Sequence, residues 1–536
     1  MKHYLLIITL LISFSAISQT NQFTVRVHDK THLQTKTEYS QKHKFSVNDL
    51  DISNIKLNLY LGCPETGCSD WDYSISVLLR KVENNDTVTY QLGRMMTPYS
   101  GAYNQGDNAQ TWNPHWSWDI TNYLPLMKDS FDIVITYEGF QDGFLATTDF
   151  VFTTDKKNKR NVIKTQNIHY GYFSYGDIEN PIDNYITPKE ILVPKNTKEV
   201  YARVSISGHG GDSTNASAEF LKKDYYYMVN GKEIARQSIW KDDCGCNPIQ
   251  PQGGTWIYNR AGWCPGTKVN EFLYDLTPYI KKGKLNVDID FEYYKTSNIG
   301  QPGYHVAHDI FFLSSNDNII QELTSIPQKT YFLHKNFILT YKANNDASRN
   351  KVYIIEQITN NKVYERTQLE NNRVYNETIE LRNGGNYKFL FTDSDNDGLS
   401  WWANREQGNG YVYIYNEDKT ILLEAFEPDF GTKIDYNFIA IDNINTINHS
   451  KSKLIKVPDT KAKTYTFIVF LKDGIEEELV LEIKDRKTNE IVSSTTYPKS
   501  DRFNIIYDYS VLKRGAYEAS VKTNSFSETR AFSIRE

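Results

Sequence analysis

Two short motifs place a carboxylate beside a constrained loop, as acid–base chemistry requires. In the first, Cys63 and Cys68 enclose four residues, and Asp72 follows at the start of an apolar alternation. A disulfide across so short a loop gains little from loop entropy, so its expected effect is to fix where the next strand starts. Asp72 then stands at the mouth of a rigid strand. The alternative is a stapled turn in which Asp72 caps a backbone amide.

The second motif is Ala218-Glu219-Phe220, which follows the glycine-rich loop 208–211 and opens a tyrosine-rich strand. Two carboxylates with different pKa values on well-held elements can act as general acid and base. Such a pair from two domains meets most readily at a domain interface, where ligand sites form. His209 lies between two glycines, where a turn residue and a ligand-binding residue are both compatible with the pattern.

A third motif combines cysteines with an arginine and a tryptophan. In an oxidising compartment, four of the five cysteines can pair, and one disulfide joins Cys264 to the Cys244-Gly245-Cys246 group. Arg260 and Trp263 lie in the loop that this bond closes. An arginine fork beside an aromatic face suits sugar hydroxyls and amide oxygens, and it suits a stacked structural loop equally well.

A fourth motif is an acidic turn that begins like a calcium loop. Asp393, Asp395 and Asp397 stand at positions one, three and five, and Gly398 follows, but Asn404 replaces the expected glutamate at position twelve. A structural Ca²⁺ site and a solvated acidic turn are both compatible with this pattern. The nearby pair 401–402 (two tryptophans) fits sugar stacking or a buried core.

Composition excludes several classes of function. The net charge of −6 leaves no electrostatic footprint for nucleic acid. Serine hydrolase, zinc protease and nucleotide-binding motifs are absent from the sequence.

Residues 1–18 have a basic start, an apolar run and a small-residue cleavage pattern, which together predict a signal peptide. With no later apolar run long enough to span a membrane, we expect an exported protein, located in the periplasm, at the cell surface or outside the cell.

The elements that must hold these residues are strands. Alternating apolar residues at 285–293, 131–137 and 200–206 predict half-buried strands, and the Asn230-Gly231 and Asp473-Gly474 pairs predict type I′ hairpins. We therefore predict an all-β chain of sandwiches or jelly rolls. Polar junctions divide it into 19–155, 160–320, an accessory β-domain at 325–450 and a C-terminal β-sandwich at 460–536.

Together, the first and third motifs resemble the bacterial peptide-N-glycosidase F family, secreted amidases that cleave the bond between asparagine and an N-linked glycan. The similarity covers roughly 22–316. It is carried by stretches that occur in the same order: Cys63-Pro64 to Cys68, Trp71-Asp72, Arg94 with Thr97-Pro98-Tyr99, Tyr137-Glu138, Ile206-Ser207-Gly208, Ala218-Glu219, Asn247-Pro248-Ile249, and Arg260 to Gly266.

The resemblance implies two side-by-side eight-stranded antiparallel jelly rolls with the active site between them. It implies that Asp72 is the primary catalytic aspartate, that Glu219 works with it through a water, and that Glu138 supports substrate binding. It also implies disulfides Cys63–Cys68 and Cys244–Cys264, and no metal or organic cofactor for catalysis. Substrate-binding positions implied by the same matches are Trp71, Tyr73, Phe140, His209, Phe220, Arg260 and Trp263.

Several of these positions depart from the family pattern. Tyr73 replaces an arginine, Phe140 replaces a tryptophan, and the sequence after Gly208 differs. We interpret this as retained amidase chemistry with an altered glycan preference. The alternatives are a non-catalytic N-glycan-binding or adhesin-like protein, and a glycosidase that uses Asp72 and Glu219 as its acid–base pair. The segment 512–517 resembles β-sandwich sorting domains of type IX secretion, and we expect a monomer.

Overall fold

The protein is described by a computed structural model that covers residues 21–45, 50–100, 113–211, 218–247, 249, 252–295, 302–314, 331–442 and 449–534. The predicted signal peptide lies outside these residues. The all-β prediction is confirmed, because the regular elements of the described residues are strands and a few short 3₁₀ turns. Within those ranges, no helix has the length and apolar character needed to cross a membrane. The 3₁₀ turns are Thr121–Met127, Ile182–Asn184, Cys244–Cys246, Thr277–Tyr279, Ala347–Arg349, Arg405–Gln407 and Lys472–Gly474.

The first eight strands form a jelly roll of two four-stranded sheets. They are β1 (Asn21–Leu33), β2 (Thr37–His43), β3 (Ile52–Gly62), β4 (Ser74–Glu83), β5 (Asp86–Met96), β6 (His115–Asp119), β7 (Phe131–Tyr137) and β8 (Phe144–Thr154). One sheet has the order β1-β8-β3-β6 and the other β2-β7-β4-β5. This interleaving of early and late strands is the double Greek key of a jelly roll.

The next eight strands repeat that topology as a second jelly roll. They are β9 (Val162–Ser174), β10 (Lys189–Leu192), β11 (Glu199–His209), β12 (Lys223–Val229), β13 (Lys232–Ile239), β14 (Glu271–Asp275), β15 (Lys284–Phe291) and β16 (Gly303–Leu313). The sheet orders are β14-β11-β16-β9 and β10-β15-β12-β13, so each strand has the place of its counterpart eight strands earlier. The prediction of two eight-stranded antiparallel jelly rolls is confirmed.

The two jelly rolls pack side by side through apolar and polar contacts. Tyr201 and Phe311 of the second roll are buried in the same cluster as the core of the first. Beside them, the Tyr123 hydroxyl donates to Asp309 Oδ2 at 2.7 Å, and Arg203 Nη1 donates to that hydroxyl at 2.7 Å. The Tyr123 hydroxyl of the first roll thus lies between Asp309 and Arg203 of the second, and a shift between the rolls would leave this buried hydroxyl without its partners.

Two smaller sandwiches follow, here called the third and fourth modules. The third contains β17 (Tyr331–His334), β18 (Asn336–Lys342), β19 (Asn350–Glu356), β20 (Asn361–Arg366), β21 (Val374–Glu380), β22 (Asn386–Asp393), β23 (Tyr411–Tyr415), β24 (Leu422–Ala425) and β25 (Lys433–Ile441). Its sheets are β17-β25-β22-β19-β20 and β21-β18-β23-β24. The β17–β25 pair is parallel.

The fourth module contains β26 (Lys453–Asp459), β27 (Thr464–Phe470), β28 (Glu477–Asp485), β29 (Ile491–Ser500), β30 (Arg502–Asp508), β31 (Gly515–Lys522) and β32 (Ser527–Ile534). Its sheets are β26-β27-β30 and β29-β28-β31-β32. Strand β26 already belongs to this module, ahead of the expected boundary at 460. The predicted domain limits otherwise stay predictions, and residues 315–330 and 443–448 lie outside the described residues.

The two predicted hairpins have different outcomes. Asn230 and Gly231 join β12 to β13 with φ values of 52° and 73°, and Val229 pairs with Lys232, as a type I′ turn requires. Asp473 and Gly474 also have positive φ. They connect β27 to β28, however, and these strands lie in different sheets, so the predicted hairpin there is wrong.

Candidate active site

Asp72 is held between a disulfide and the start of β4. The Cys63–Cys68 bond is present as predicted. Thr97 fixes the backbone on both sides of the aspartate, because its hydroxyl donates to Trp71 O at 3.0 Å and accepts from Tyr73 N at 2.8 Å. The strand begins only two residues later, at Ser74. The side chain of Asp72 is 12% exposed, so the constrained loop presents the carboxylate at the edge of a cavity.

Glu219 lies in a turn four residues before β12, and not at the mouth of that strand as the sequence suggests. Its N–H donates to Gly210 O at 3.2 Å, and its carbonyl accepts from Ala261 N at 2.8 Å. The turn packs directly on β11, where a Cβ at Gly208 would lie 2.0 Å from Ala218 O. Glycine at 208 is therefore needed to bring Glu219 close to the sheet that contains β11.

Arg260 is the buried centre of the site. It lies in the loop closed by the Cys244–Cys264 disulfide, which confirms that predicted pair and leaves Cys246 as the free, exposed thiol. Its guanidinium donates through Nη2 to Thr255 O at 2.6 Å and through Nε to Tyr258 O at 3.3 Å. The ring centroids of Phe220 and Trp263 lie 4.7 and 4.6 Å from its Cζ atom. These contacts leave one edge of the guanidinium for other partners.

That edge binds both carboxylates. Arg260 Nη1 donates to Asp72 Oδ2 at 2.9 Å and to Glu219 Oε1 at 3.0 Å. One nitrogen thus joins an acid from the first jelly roll to an acid from the second. The domain-interface prediction for these two residues is in agreement with this geometry.

Burial gives both acids higher pKa values than ordinary carboxylates have. Burial raises the pKa of Asp72, and the charge of Arg260 and the hydroxyl of Tyr99 oppose that rise. Burial also raises the pKa of Glu219 to about 7; the charge of Arg260 opposes this, and the charge of Asp72 adds to it. A carboxylate poised near neutrality can exchange protons during turnover, as general acid–base catalysis requires.

A cavity of about 230 Å³ opens beside the pair, between the two jelly rolls. Glu138 lies at its open side with 55% of its side chain exposed, 3.7 Å from the buried Arg94. His209 is half-buried and stacks on Trp263 with ring centroids 5.4 Å apart, and its Nε2 shares a hydrogen bond with the Ser207 hydroxyl at 2.8 Å. The lining residues are Asp72, Tyr73, Ser74, Arg94, Met96, Glu138, Tyr172, His209, Glu219 and Trp263.

Four predicted substrate-binding residues do not line this cavity. Arg260 is fully buried and binds the two acids. Trp71 and Phe140 are on the surface nearby, 56% and 68% exposed. Phe220 packs between Arg260 and Trp402 of the third module and does not line the cavity. Its position supports the arginine, so direct contact with a substrate in this cavity is not what the geometry favours.

Arg94, Tyr99 and Tyr172 belong to this site, although the sequence does not single them out as site residues. Arg94 and Tyr172 line the cavity, and the Tyr99 hydroxyl bonds Asp72 and, at 3.1 Å, Thr255. Arg94 and Tyr99 lie in a stretch that resembles the family, and this resemblance could have identified them as site residues. Tyr172 had no such signal, because an isolated tyrosine in β9 is indistinguishable from the many others in this chain.

The acidic turn at 393–398 has a structural explanation. Asp393 Oδ2 accepts from the N–H groups of Asp397 and Gly398 at 3.0 and 3.1 Å, and its Oδ1 accepts from Asn350 Nδ2 at 3.0 Å. Within the described ranges, no three histidine, cysteine, aspartate or glutamate side chains are grouped to hold a metal ion. This geometry favours an acidic turn capped by Asp393 over a Ca²⁺ site. Ca²⁺ binding at this turn stays a prediction.

Comparison with known proteins confirms the family resemblance. A family model described as "Peptide-N-glycosidase F, C terminal" matches residues 177–307. The amidase F of Elizabethkingia miricola, named peptide-N(4)-(N-acetyl-beta-D-glucosaminyl)asparagine amidase F, is 22% identical over 288 residues, which is 51% of this chain and 78% of that protein. The first jelly roll and the third and fourth modules lie outside the segment that the family model matches.

Two solved structures give the extent of the structural similarity. PNGase F, a glycosylasparaginase from Flavobacterium meningosepticum, is 20% identical, with a TM-score of 0.46 over 55% of this chain and 96% of that one. PNGF-II is 15% identical, with a TM-score of 0.43 over 54% of this chain and 65% of that one. The jelly-roll assignment rests on the strand order described above.

Proposed function

We propose that this protein is a peptide-N-glycosidase, a hydrolase that cleaves the side-chain amide of glycosylated asparagine and so releases N-glycans. The similarity to amidase F supports glycosylasparagine amidase activity in general. The observation that carries the specific proposal is the convergence of Asp72 and Glu219 on Arg260 Nη1 beside a cavity between the jelly rolls. Asparagine becomes aspartate, and the glycan leaves as a glycosylamine.

We assign the proton transfers to the two acids. Glu219 takes a proton from a water, whose oxygen forms a bond to the amide carbon. The carbon–nitrogen bond then breaks, and the proton passes to the leaving nitrogen, so that atoms and charge balance. Asp72 carries this proton from the side of the water to the leaving nitrogen, and Arg260 holds both carboxylates at a constant separation. No metal or organic cofactor enters the proposal.

We further propose that the protein acts on N-glycosylated proteins or glycopeptides after export. Two disulfides among the five cysteines fit an oxidising compartment. The signal peptide at 1–18, the sorting role of the fourth module in type IX secretion and the monomeric state remain predictions. Tyr73 and Glu138 in the cavity are the residues we expect to contact the sugar nearest to asparagine.

One experiment separates amidase, glycosidase and glycan-binding functions. The full chain is incubated with an N-glycopeptide in ¹⁸O-water with a chelator present, and the products are identified by mass spectrometry. We expect aspartate carrying one ¹⁸O in place of asparagine. A sugar left on asparagine would indicate a glycosidase, and an unchanged peptide bound to the protein would indicate a non-catalytic glycan-binding protein.

The pH dependence tests the assignment of Glu219 as the base. Because a base must be ionised, and the pKa of Glu219 is about 7, we expect kcat/KM to rise with pH through an apparent pKa near 7. The measurement is a kcat/KM profile between pH 5 and 9, in overlapping buffers. In Glu219→Gln the residual rate should lose this rise. A rise that persists in Glu219→Gln, or a fall through the same range, would contradict the assignment.

A further inference from the structure

The loop that carries Arg260 is packed against both C-terminal modules. Trp402, beside the acidic turn of the third module, stacks on Tyr258 with ring centroids 4.4 Å apart and an interplanar angle of 13°. The same ring meets the edge of Phe220 at 5.3 Å and 80°. Trp402 therefore contacts two residues that themselves contact Arg260. This contact between modules differs from both interpretations of the tryptophan pair at 401–402, which were sugar stacking and burial in a core.

Both contacts lead directly to the guanidinium. The Phe220 ring covers one face of Arg260, and Phe220 is the neighbour of Glu219 in the chain. The Tyr258 carbonyl accepts from Arg260 Nε. If the Trp402 ring were removed, Phe220 and Tyr258 would each lose an aromatic partner, and the two restraints on Arg260 would loosen together.

The fourth module restrains the same loop from another side. Arg486 Nη2 donates to Gly254 O at 2.8 Å, and the next residue, Thr255, accepts from Arg260 Nη2. Ala531 of β32 is buried in one cluster with Trp256 and Ile257. Near the start of the loop, a Cβ at Gly245 would lie 2.1 Å from Thr529 O. The loop and the fourth module are thus in direct backbone contact.

We propose that Trp402 and Arg486 are positioning residues that hold Arg260 in its reactive place, so that the third and fourth modules are part of the catalytic unit. The proposal rests on the function proposed above. In an accessory role, by contrast, the modules would bind glycan or direct the sorting of the protein, and the rate of the catalytic step would not depend on them. A small displacement of a positioning group can lower a rate strongly even when the mutated residue is remote from the substrate.

The test uses the full chain with Trp402→Leu, Trp402→Phe and Arg486→Ala. Because neither residue lines the cavity described above, we expect kcat to fall about tenfold in Trp402→Leu and in Arg486→Ala, with KM nearly unchanged. Trp402→Phe keeps an aromatic ring over Tyr258 and should restore most of the rate. Tyr353→Leu is the control, because its ring lies under Lys362 within the third module. Thermal unfolding should be alike for Tyr353→Leu and Trp402→Leu.

A second measurement does not depend on turnover. The pKa of Glu219 is read by carboxyl NMR, with Glu219→Gln used to assign its signal. Since the charge of Arg260 lowers this pKa, displacement of Arg260 should raise it in Trp402→Leu and in Arg486→Ala. The wild-type rate alone tests the proposed amidase function. An unchanged kcat together with an unchanged Glu219 pKa in both variants would overturn the positioning role.

Discussion

Asp72→Asn is expected to lower kcat/KM for glycosylasparagine hydrolysis by about 10²- to 10⁴-fold, the range typical for loss of a group that handles protons in the transition state. Asparagine has nearly the same shape, so the loop between the Cys63–Cys68 disulfide and β4 should be retained. The amide lacks the charge that pairs with Arg260 at 2.9 Å and cannot carry a proton between water and the leaving nitrogen. The measurement is the initial rate on a fluorescent N-glycopeptide.

Asp149→Asn is the matched control for this substitution. Asp149 is a similarly buried aspartate of the first jelly roll, 10% exposed, and it pairs with Arg26 Nε at 2.9 Å. The same loss of charge and of one ion pair thus occurs away from the cavity. We expect Asp149→Asn to retain wild-type kcat/KM. Equal losses in the two variants would mean that Asp72 acts through stability alone and would remove it from the proposed mechanism.

Arg260→Lys should lower kcat by about 10²- to 10³-fold, although the positive charge is kept. The guanidinium is planar, which lets it lie between Phe220 and Trp263 while its edges serve two carboxylates and the Thr255 carbonyl. A lysine ammonium is a single point charge on a flexible stem and cannot make these contacts together. The separation between Asp72 and Glu219 would then vary, and fewer molecules would be arranged for proton transfer.

Single-turnover rates and thermal unfolding of Arg260→Lys and of Arg366→Lys provide the comparison. Arg366 of the third module has the same kinds of partner at a more exposed position, with Tyr375 stacked 4.8 Å from its Cζ atom and Glu377 at 2.8 Å. It lies outside the catalytic cavity, so Arg366→Lys should keep its rate. A rate near wild type for Arg260→Lys would show that charge alone suffices and that the stacked geometry is not required.

Local pattern predicted the strands, the Asn230-Gly231 turn and the Cys63–Cys68 loop, because each depends on residues close together in the chain. The Asp473-Gly474 turn shows the limit of that information. Positive φ at two residues marks a tight turn, but only the packing of β27 and β28 decides whether the next strand pairs with the last or crosses to the facing sheet. The strand order that defines a jelly roll is likewise set by contacts between distant segments.

The candidate site was predictable in its residues and not in its arrangement. The family motifs identified Asp72, Glu219 and Arg260, but nothing in their spacing indicates that one guanidinium nitrogen would bind both acids. Phe220 was expected in the substrate cavity because it follows Glu219. It instead faces Trp402, since docking of the third module provides an aromatic partner that no local pattern records.

The close approach of Gly245 to Thr529 also limits how this protein can be rearranged. Any larger side chain between Cys244 and Cys246 would have to displace β32, whatever side chains that strand carries, because the contact is with a backbone oxygen. Glycine at 245 is therefore required for as long as the fourth module stays in this place. For protein engineering, that module can be exchanged without changing Gly245, whereas a side chain at 245 requires the module to be moved.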